Sequence, residues 1–349
     1  MIFDHPDFDR HEQVVFCHDP PVGLRAIIAI HSTVLGPAAG GCRMHPYASE
    51  KEALTDVLRL SKGMTYKNSV AGLPLGGGKC VIIADPKDTR KPELLRMFAS
   101  HVQSMNGRFW TAIDVGVGPE DADILAEKSD YIFARASQHA DGFYPSSYTA
   151  YGGFIGIRAA AESVLERTDL AGLRVAVQGL GATGFDLCRR LTEAKAHLVV
   201  ADVRRDPVDR AIAQFGATPE TPDRIHAADV DIFAPCAMGA VLNDRSIPEI
   251  KARIICGVAN NQLEEDRHAA MLLARGIAYV PDYVVNAGGM MGASTVIFSE
   301  PSREASIQRI DGLHDTILSI LNRARAEGRP SSEIADDMAM ERIKTEGGE

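Results

Sequence analysis

Two stretches of this chain carry residues whose types and spacing could do chemistry. Leu73-Pro74-Leu75-Gly76-Gly77-Gly78-Lys79-Cys80 sets a lysine behind three glycines and ahead of the apolar run Val81-Ile82-Ile83. A phosphate-binding P-loop reads G-x-x-x-x-G-K-[ST], its backbone N–H groups cradling phosphates and its hydroxyl holding magnesium. Leu73 stands where the first glycine is required and Cys80 where the hydroxyl is required, so Lys79 needs another explanation. The second stretch, Gly179-Leu180-Gly181-Ala182-Thr183-Gly184, is a G-x-G-x-x-G. The strand-like LRVAVQ precedes it, the helix-like FDLCRRLTEA follows, and the next strand-like stretch, HLVVAD, ends on Asp202. That context is the dinucleotide fingerprint: one glycine for the turn, one for close approach of pyrophosphate, one for packing helix on strand. Ala182 and Thr183 open the helix whose N-terminus favours the phosphate charge. Asp202 is placed to accept hydrogen bonds from ribose hydroxyls and to repel a 2′-phosphate. Arg204 and Arg205 read either as partners of such a phosphate or as solvated charges, and Asp202 decides for NAD.

A nicotinamide enzyme must also hold a substrate carbon and move a proton. Three groups before the fingerprint could do so: Lys67 in GMTYKN, Lys79, and Asp114 in FWTAIDVGVG. Lysines and aspartates are mostly solvated. Here the setting differs, because Lys79 lies between glycines and a strand, and Asp114 closes an apolar-aromatic stretch before a glycine-rich loop.

The elements that would position these groups alternate. LRAIIAIHS, KCVIIAD and FWTAID read as strands. Ser49 and Glu52 form a capping box before EALTDVLRLSKGM, ELLRMFASHVQSM reads as a second helix, and Pro119 with Glu120 and Asp121 starts a third. SQHADGFYPSSYT is the expected hinge. Beyond it, the helix YGGFIGIRAAAESVL leads to the strands LRVAVQG, HLVVADV, VDIFAPC, ARIICGVA and IAYVPDYVV, an alternation that predicts a parallel sheet covered by helices. Ile307, Ile310, His314, Ile317 and Leu321 predict one long amphipathic helix near the end. The fold class is α/β with two domains. Residues 1–137 are expected to form a substrate and catalytic domain that also serves oligomerisation, and residues 138–325 a Rossmann-type NAD domain. Residues 326–349 form a helix and tail packing back near the cleft.

Composition excludes other classes. The 349 residues carry a net charge of −10, with 45% apolar and 24% charged residues, which argues against nucleic acid and membrane partners. Six cysteines are scattered without a C-x-x-C, so no metal site is expected and a reducing, cytoplasmic setting is. His45, His101, His268 and His314 lie far apart, unlike a ligand set.

GMTYKNSVAGLPLGGGKCVIIADP resembles the signature of the leucine, valine and phenylalanine dehydrogenases, a branch of the glutamate dehydrogenase superfamily, and most of all leucine dehydrogenase. HEQVVFCHD, IAIHSTVLGPAAGGCRM, TAIDVG, VAVQGLG, DIFAPCAMGAVLND, GVANNQL and YVPDYVVNAGG extend the resemblance over almost the whole chain. It implies that Lys67 binds the substrate α-carboxylate, helped by backbone at Gly40 and Gly41. Lys79 would be the general base that activates water, and Asp114 would shuttle protons and balance the lysine charge. Asn260 would help place substrate and nicotinamide ribose, with Thr149 and Asn286 also on the cofactor side. The implied reaction is reversible oxidative deamination: hydride leaves Cα, water adds to the iminium, and ammonia leaves a 2-oxo acid. A homo-oligomer and a cleft that closes between the domains are implied too.

The resemblance also bears on the substrate. Glutamate enzymes of the superfamily place a lysine where this chain has Ala39 and a serine where it has Ala293, so a distal carboxylate would be buried unpaired here. Ala39 and Ala293 are smaller than the leucine and valine usual in leucine enzymes, while Met290 is larger than the usual valine and Ala112 matches them. Branched-chain substrates are favoured, with phenylalanine or tryptophan as the alternative. MMGASTVIF after the NAGG motif is more apolar than usual for the family. A non-catalytic NAD-binding regulator is the rival of another class, and it would need neither lysine nor Asp114.

Overall fold

Alternation of apolar residues with glycine and polar ones builds the first sheet. Its elements are β1 (Gln13–Asp19), β2 (Leu24–Ser32), β3 (Ala38–His45), α1 (Glu50–Val70), β4 (Gly76–Ile83), α2 (Lys91–Ser104), β5 (Phe109–Ile113) and α3 (Pro119–Ala126). The computed structural model describes residues 2–139, 144–237, 239–299 and 302–347; the part of the expected hinge at 140–143 lies outside the described residues. The strands run in the order β1-β2-β4-β3-β5, with β2 antiparallel to both its neighbours β1 and β4, and with β4, β3 and β5 parallel. Ile28, Ile30, Cys80 and Ile82 face α2 and α3 in one core, together with Leu95, Phe98 and Leu125. Ile27, Ala29 and Val81 face α1 on the other side with Ala53, Val57 and Leu58. The period of two therefore buries both faces of the sheet.

Three local expectations are refined. Ser49 caps α1 through Glu52 N, 3.2 Å, but Glu52 reaches back to Ala48 N, 3.0 Å, rather than to the cap residue itself. α1 runs on to Val70, which puts Lys67 in its last turn. β4 starts at Gly76, so the three glycines are strand and not loop. The reason is close approach: a Cβ on Gly77 would land on the backbone and hydroxyl of Thr65 in α1. The helix lies directly on the strand, and only hydrogen fits between them.

The second unit continues with α4 (Pro145–Leu165), β6 (Arg174–Gln178), α5 (Ala182–Glu193), β7 (His197–Ala201), α6 (Arg205–Phe215), β8 (Thr218–Pro219), β9 (Ile232–Pro235), β10 (Ile254–Ile255), α7 (Arg267–Ala274), β11 (Ala278–Tyr279), α8 (Asp282–Val285) and α9 (Ala287–Ala293). All its strands are parallel, in the order β11-β10-β9-β6-β7-β8. This is the doubly wound order in which ligands bind beyond the carboxyl ends of the strands. ARIICGVA and IAYVPDYVV contribute only two ladder residues each.

The expected single amphipathic helix is two, α10 (Arg303–Asp311) and α11 (Leu313–Glu327), parted at Gly312, and α12 (Ser331–Gly347) follows. Glycine weakens a helix interior, and Ile310, Leu313 and Ile317 are buried on either side of the break. By contacts the chain divides into Met1–Tyr144, Val296–Ser299 and Ala339–Glu349 on the one hand, and Pro145–Thr295 and Glu300–Met338 on the other. Within the first of these, Ser69 Oγ donates to Ala339 O, 2.7 Å, and Arg342 to Ser69 O, 2.8 Å, so the end of α12 docks on the end of α1. Among the described residues no helix is long and apolar enough to cross a membrane.

Because α1 rests on Gly77, Gly77→Ala should force the helix off the sheet and cost about 1–3 kcal/mol or more. The check is the thermal unfolding midpoint, which should fall; an unchanged midpoint would show that the contact can relax freely.

Candidate functional site

In the first unit, β4 presents Lys79 towards the end of β5, where Asp114 follows the last strand residue. Lys79 Nζ lies 3.0 Å from Asp114 Oδ2, with side chains 8% and 20% exposed. The same oxygen accepts from Arg43 Nε at 3.0 Å. Arg43 is on β3, and its Nη1 donates to Asp56 Oδ2 on α1 at 2.9 Å, an oxygen that also accepts from Tyr47 Oη at 2.5 Å. Burial pushes the Asp114 carboxyl up, but the charges of Lys79 and Arg43 outweigh it and hold it below the usual carboxylate range. Arg43 and Asp56 were not singled out in the sequence. The one signal available was the spacing Gly41-x-Arg43, which puts arginine on the same strand face as the glycine beside Asp114.

Glycines shape the surroundings of this pair. A Cβ on Gly41 would meet the Ile113 carbonyl and, at 2.9 Å, Asp114 Cβ; one on Gly40 would meet Gly78 O and, at 3.1 Å, Met64 Cγ of α1. Gly41 and Ala112 are register partners, as are Ala39 and Gly77, so Ala39, Gly40, Gly41 and Ala112 lie along adjacent parallel strands, near Lys79 midway along β4 and Asp114 just past β5. Ala39 and Ala112 are buried there. Lys67 is half-buried in the last turn of α1. The helix is pinned next to Lys67, where buried Asn68 donates to Gly76 O at 2.7 Å.

In the second unit the glycine loop has the geometry its sequence requires. Gly179 has φ +95°, a conformation other residues rarely adopt, and a Cβ there would lie 2.7 Å from Ala237. A Cβ on Gly184 would land on the Gly179 carbonyl, so this glycine lets α5 close onto the loop. Above Gly181, the N-cap of α5, nothing lies within 4 Å of an added Cβ, leaving the backbone open on the side where a pyrophosphate would approach. Ala182 and Thr183 form the first turn of α5. A cavity of about 380 Å³ adjoins this loop, lined by Leu180, Gly181, Ala182, Phe185, Arg204 and Pro207 among others.

Asp202 follows β7 with a nearly buried side chain. Its Oδ2 accepts from Leu180 N at 2.7 Å, and its Oδ1 from Arg204 N at 2.9 Å and Arg204 Nε at 3.3 Å. Burial is outweighed by these backbone N–H groups and the guanidinium, which hold its carboxyl below the usual range. Asp202 thus fixes the glycine loop. Arg205 instead pairs with Asp209 at 2.8 Å.

Asn260, Asn286 and Thr149 gather at a third place in this unit. Asn286 Nδ2 donates to Asn260 Oδ1, 2.7 Å, while its buried Oδ1 meets no partner among the described residues. Thr149, on α4, contacts the position a Cβ on Gly289 would take, and a Cβ on Gly288 would come within 2.6 Å of Tyr148 O. The two glycines of the NAGG motif therefore let α9 lie on α4, bringing Thr149 beside the stretch that carries Asn286. Met290 is half-buried and Ala293 buried on the same helix. A further cavity of about 360 Å³ lies at the amino ends of β10 and β11. Its Arg253 and Arg325 donate to Val164 O and Ser163 O, so capping of α4 accounts for them. Among the described residues no group of three or more His, Cys, Asp or Glu could hold a metal ion.

Comparison with known proteins shows the family of this chain. Residues 11–131 match the family model of the Glu/Leu/Phe/Val dehydrogenase dimerisation domain, and residues 202–311 that of glutamate/leucine/phenylalanine/valine dehydrogenase. A leucine dehydrogenase of Thermoactinomyces intermedius is 45% identical, covering 98% of this chain and 93% of its own length. A phenylalanine dehydrogenase of Caldalkalibacillus thermarum is 44% identical, covering 96% and 92%. The crystal structure of L-tryptophan dehydrogenase from Nostoc punctiforme superposes with a TM-score of 0.85 at 43% identity, covering 97% of both chains. With a nicotinamide-dinucleotide loop in one unit and a lysine–aspartate pair in the other, the chain belongs to the glutamate/leucine/phenylalanine/valine dehydrogenase family and is an amino acid dehydrogenase, an oxidoreductase acting on CH–NH2.

Proposed function

We propose that this enzyme catalyses the reversible oxidative deamination of an apolar L-amino acid to its 2-oxo acid and ammonia with NAD, leucine, valine and isoleucine being favoured. The observation that carries the reading is the buried Lys79 amine held at 3.0 Å by Asp114, with Gly41 of β3 close against Asp114. A regulator that only binds nucleotide would have no use for such a pair, and burying it would cost stability without return. NAD, held by the glycine loop and Asp202, would supply the acceptor for the hydride that leaves the substrate Cα. Lys67 holds the α-carboxylate as a charge-assisted hydrogen-bond donor, with backbone at Gly40 and Gly41 helping. Lys79 Nζ takes the proton of the water whose oxygen bonds to the iminium carbon. Asp114 steadies the ammonium so formed, takes up its proton and passes it to the amine that leaves as ammonia, and is ionised again afterwards. Residues 1–137 supply this chemistry, and residues 138–325 hold the dinucleotide.

NAD is favoured because the Asp202 carboxylate faces the ribose side of the loop, and Arg204, the nearest cation, is already bonded to it. Thr149, Asn260 and Asn286 hold the nicotinamide end, the open Asn286 Oδ1 having a free acceptor for it. Ala39 in the first unit and Ala293 in the second are each buried and uncharged, so a side-chain carboxylate against either would cost several kcal/mol, which disfavours glutamate. The small size of each favours a second reading, an aromatic substrate. Met290 weighs against it. Discrimination between apolar side chains is worth only about 1–3 kcal/mol, and relatives of both kinds are about equally similar. A homo-oligomer fits β1, an edge strand whose Phe16 is 61% exposed, and a cytoplasmic setting fits six free thiols.

The deciding measurement is NADH formation with leucine, valine, isoleucine, phenylalanine, tryptophan and glutamate, with NADP in parallel. Highest kcat/KM for a branched-chain amino acid with NAD is expected; an aromatic winner would assign the pocket to Ala39 and Ala293, and no turnover would overturn the reading. Lys79→Ala should lower kcat by about 10²-fold or more while NADH still binds, and Lys67→Ala should act mainly on the amino acid KM. Gly181→Ala, with open space above it, should keep the unfolding midpoint yet weaken NADH binding roughly tenfold or more, about 1.4 kcal/mol. Gly184→Ala should lower the midpoint itself.

A further inference from the structure

We infer that Arg43 is a positioning residue for the Lys79–Asp114 pair: its fixed charge remains on Asp114 when Lys79 gives up its proton. This rests on the general-base role proposed for Lys79. A lysine base alternates between ammonium and amine, and each time it becomes neutral its carboxylate partner would be left buried without a counter-ion, a state that is strongly disfavoured. Arg43 removes that difficulty because Nε and Lys79 Nζ meet the same oxygen, Asp114 Oδ2, each at 3.0 Å. Guanidinium does not titrate in the working range, so its half of the arrangement is permanent.

The far end of Arg43 explains why it stays there. Nη1 is tied to Asp56 at 2.9 Å, and Asp56 is in turn held by Tyr47 Oη at 2.5 Å. Four elements of the first unit thus converge on one guanidinium: β3 carries it, α1 brings Asp56, the turn after β3 brings Tyr47, and the end of β5 brings Asp114. Arg43, Asp56 and Tyr47 surround the pair, Lys67 stands in the last turn of α1, and the thiols of Cys42 on β3 and Cys80 on β4 belong to the core on the opposite face of the sheet. Tyr47 is pushed up by burial and by Asp56, and Cys42 is held well up by its contact with Cys80 and by burial, so neither competes for the proton. The second cation also offsets Asp114 without demanding a proton from solvent, which suits a site that must exclude bulk water.

The test is the pH profile of kcat/KM for the full-length enzyme with the amino acid that it turns over best. In Arg43→Met, Lys79 is left as the only cation bonded to Asp114, holds its proton to higher pH, and the rising limb should move up by roughly one unit or more. Activity near neutrality should fall about tenfold and recover in alkaline buffer. Arg43→Lys should bring the limb back towards wild type, with incomplete recovery of kcat because lysine cannot span Asp114 and Asp56 together. Asp56→Asn removes an anion that competes for Arg43 and should move the limb downward, a reading available even where Arg43→Met does not fold. A limb that stays in place in Arg43→Met or in Asp56→Asn, or that Arg43→Lys fails to restore, would overturn the assignment. Lys79→Ala separates the two levels: normal turnover there would remove the general-base reading itself, whereas loss of turnover with an unmoved Arg43→Met limb would remove only the role of Arg43.

Discussion

One carboxylate oxygen organises the first unit. Asp114 Oδ2 is shared by an ammonium from β4 and a guanidinium from β3, and neither cation could be taken out of water so far without it. Removing one partner of such a buried arrangement typically costs about 3–5 kcal/mol, because the charges left behind have no water to turn to. The strand order follows from the same need. β4, β3 and β5 are adjacent and parallel, with Cys42 level with both Cys80 and Ile113, so Lys79, Arg43 and Asp114, each one residue from that level, come to one place. Asp56 then ties that place to α1.

Close backbone approach is the second constraint, and it explains most of the glycines that look like phosphate-loop or turn signals. Gly77 lets α1 lie on β4, Gly40 and Gly41 make room for the neighbouring strands and for Met64, and Gly288 does for α9 and α4 what Gly77 does for the first unit. In each case a helix or strand occupies the volume of a missing side chain. Chemistry-bearing residues next to these glycines, Lys79 and Asn286, gain fixed positions as a result. Rigid elements hold a catalytic group more closely than a loop can, because packing leaves it few alternative rotamers.

The dinucleotide loop shows a division of labour among residues that look alike in sequence. Gly179 is required for its φ, Gly184 for the helix that sits on it, and Gly181 for the space it leaves empty. Asp202 closes the loop through Leu180 N, so the residue proposed to select the cofactor also shapes the turn.

What the sequence determined by itself was everything governed by local pattern. The strand–glycine–helix–strand–aspartate run around Gly179 to Asp202 forms the βαβ unit its spacing requires, since backbone conformation and helix packing there depend on neighbours within about thirty residues. LRAIIAIHS forms β2 over its whole length, because apolar residues on both faces of a buried strand leave little choice. Family membership was equally legible, through long motifs rather than composition. What only the tertiary structure decided were contacts between residues distant in sequence. That the three glycines are strand depends on where α1 lands, and the division of the late helix at Gly312 depends on what α10 and α11 each pack against. Arg43 could not be recognised from GGCRMHP, because its meaning lies in Asp56 and Asp114, brought to it by α1 and β5. Local sequence specifies an element; only packing specifies which charges share an oxygen.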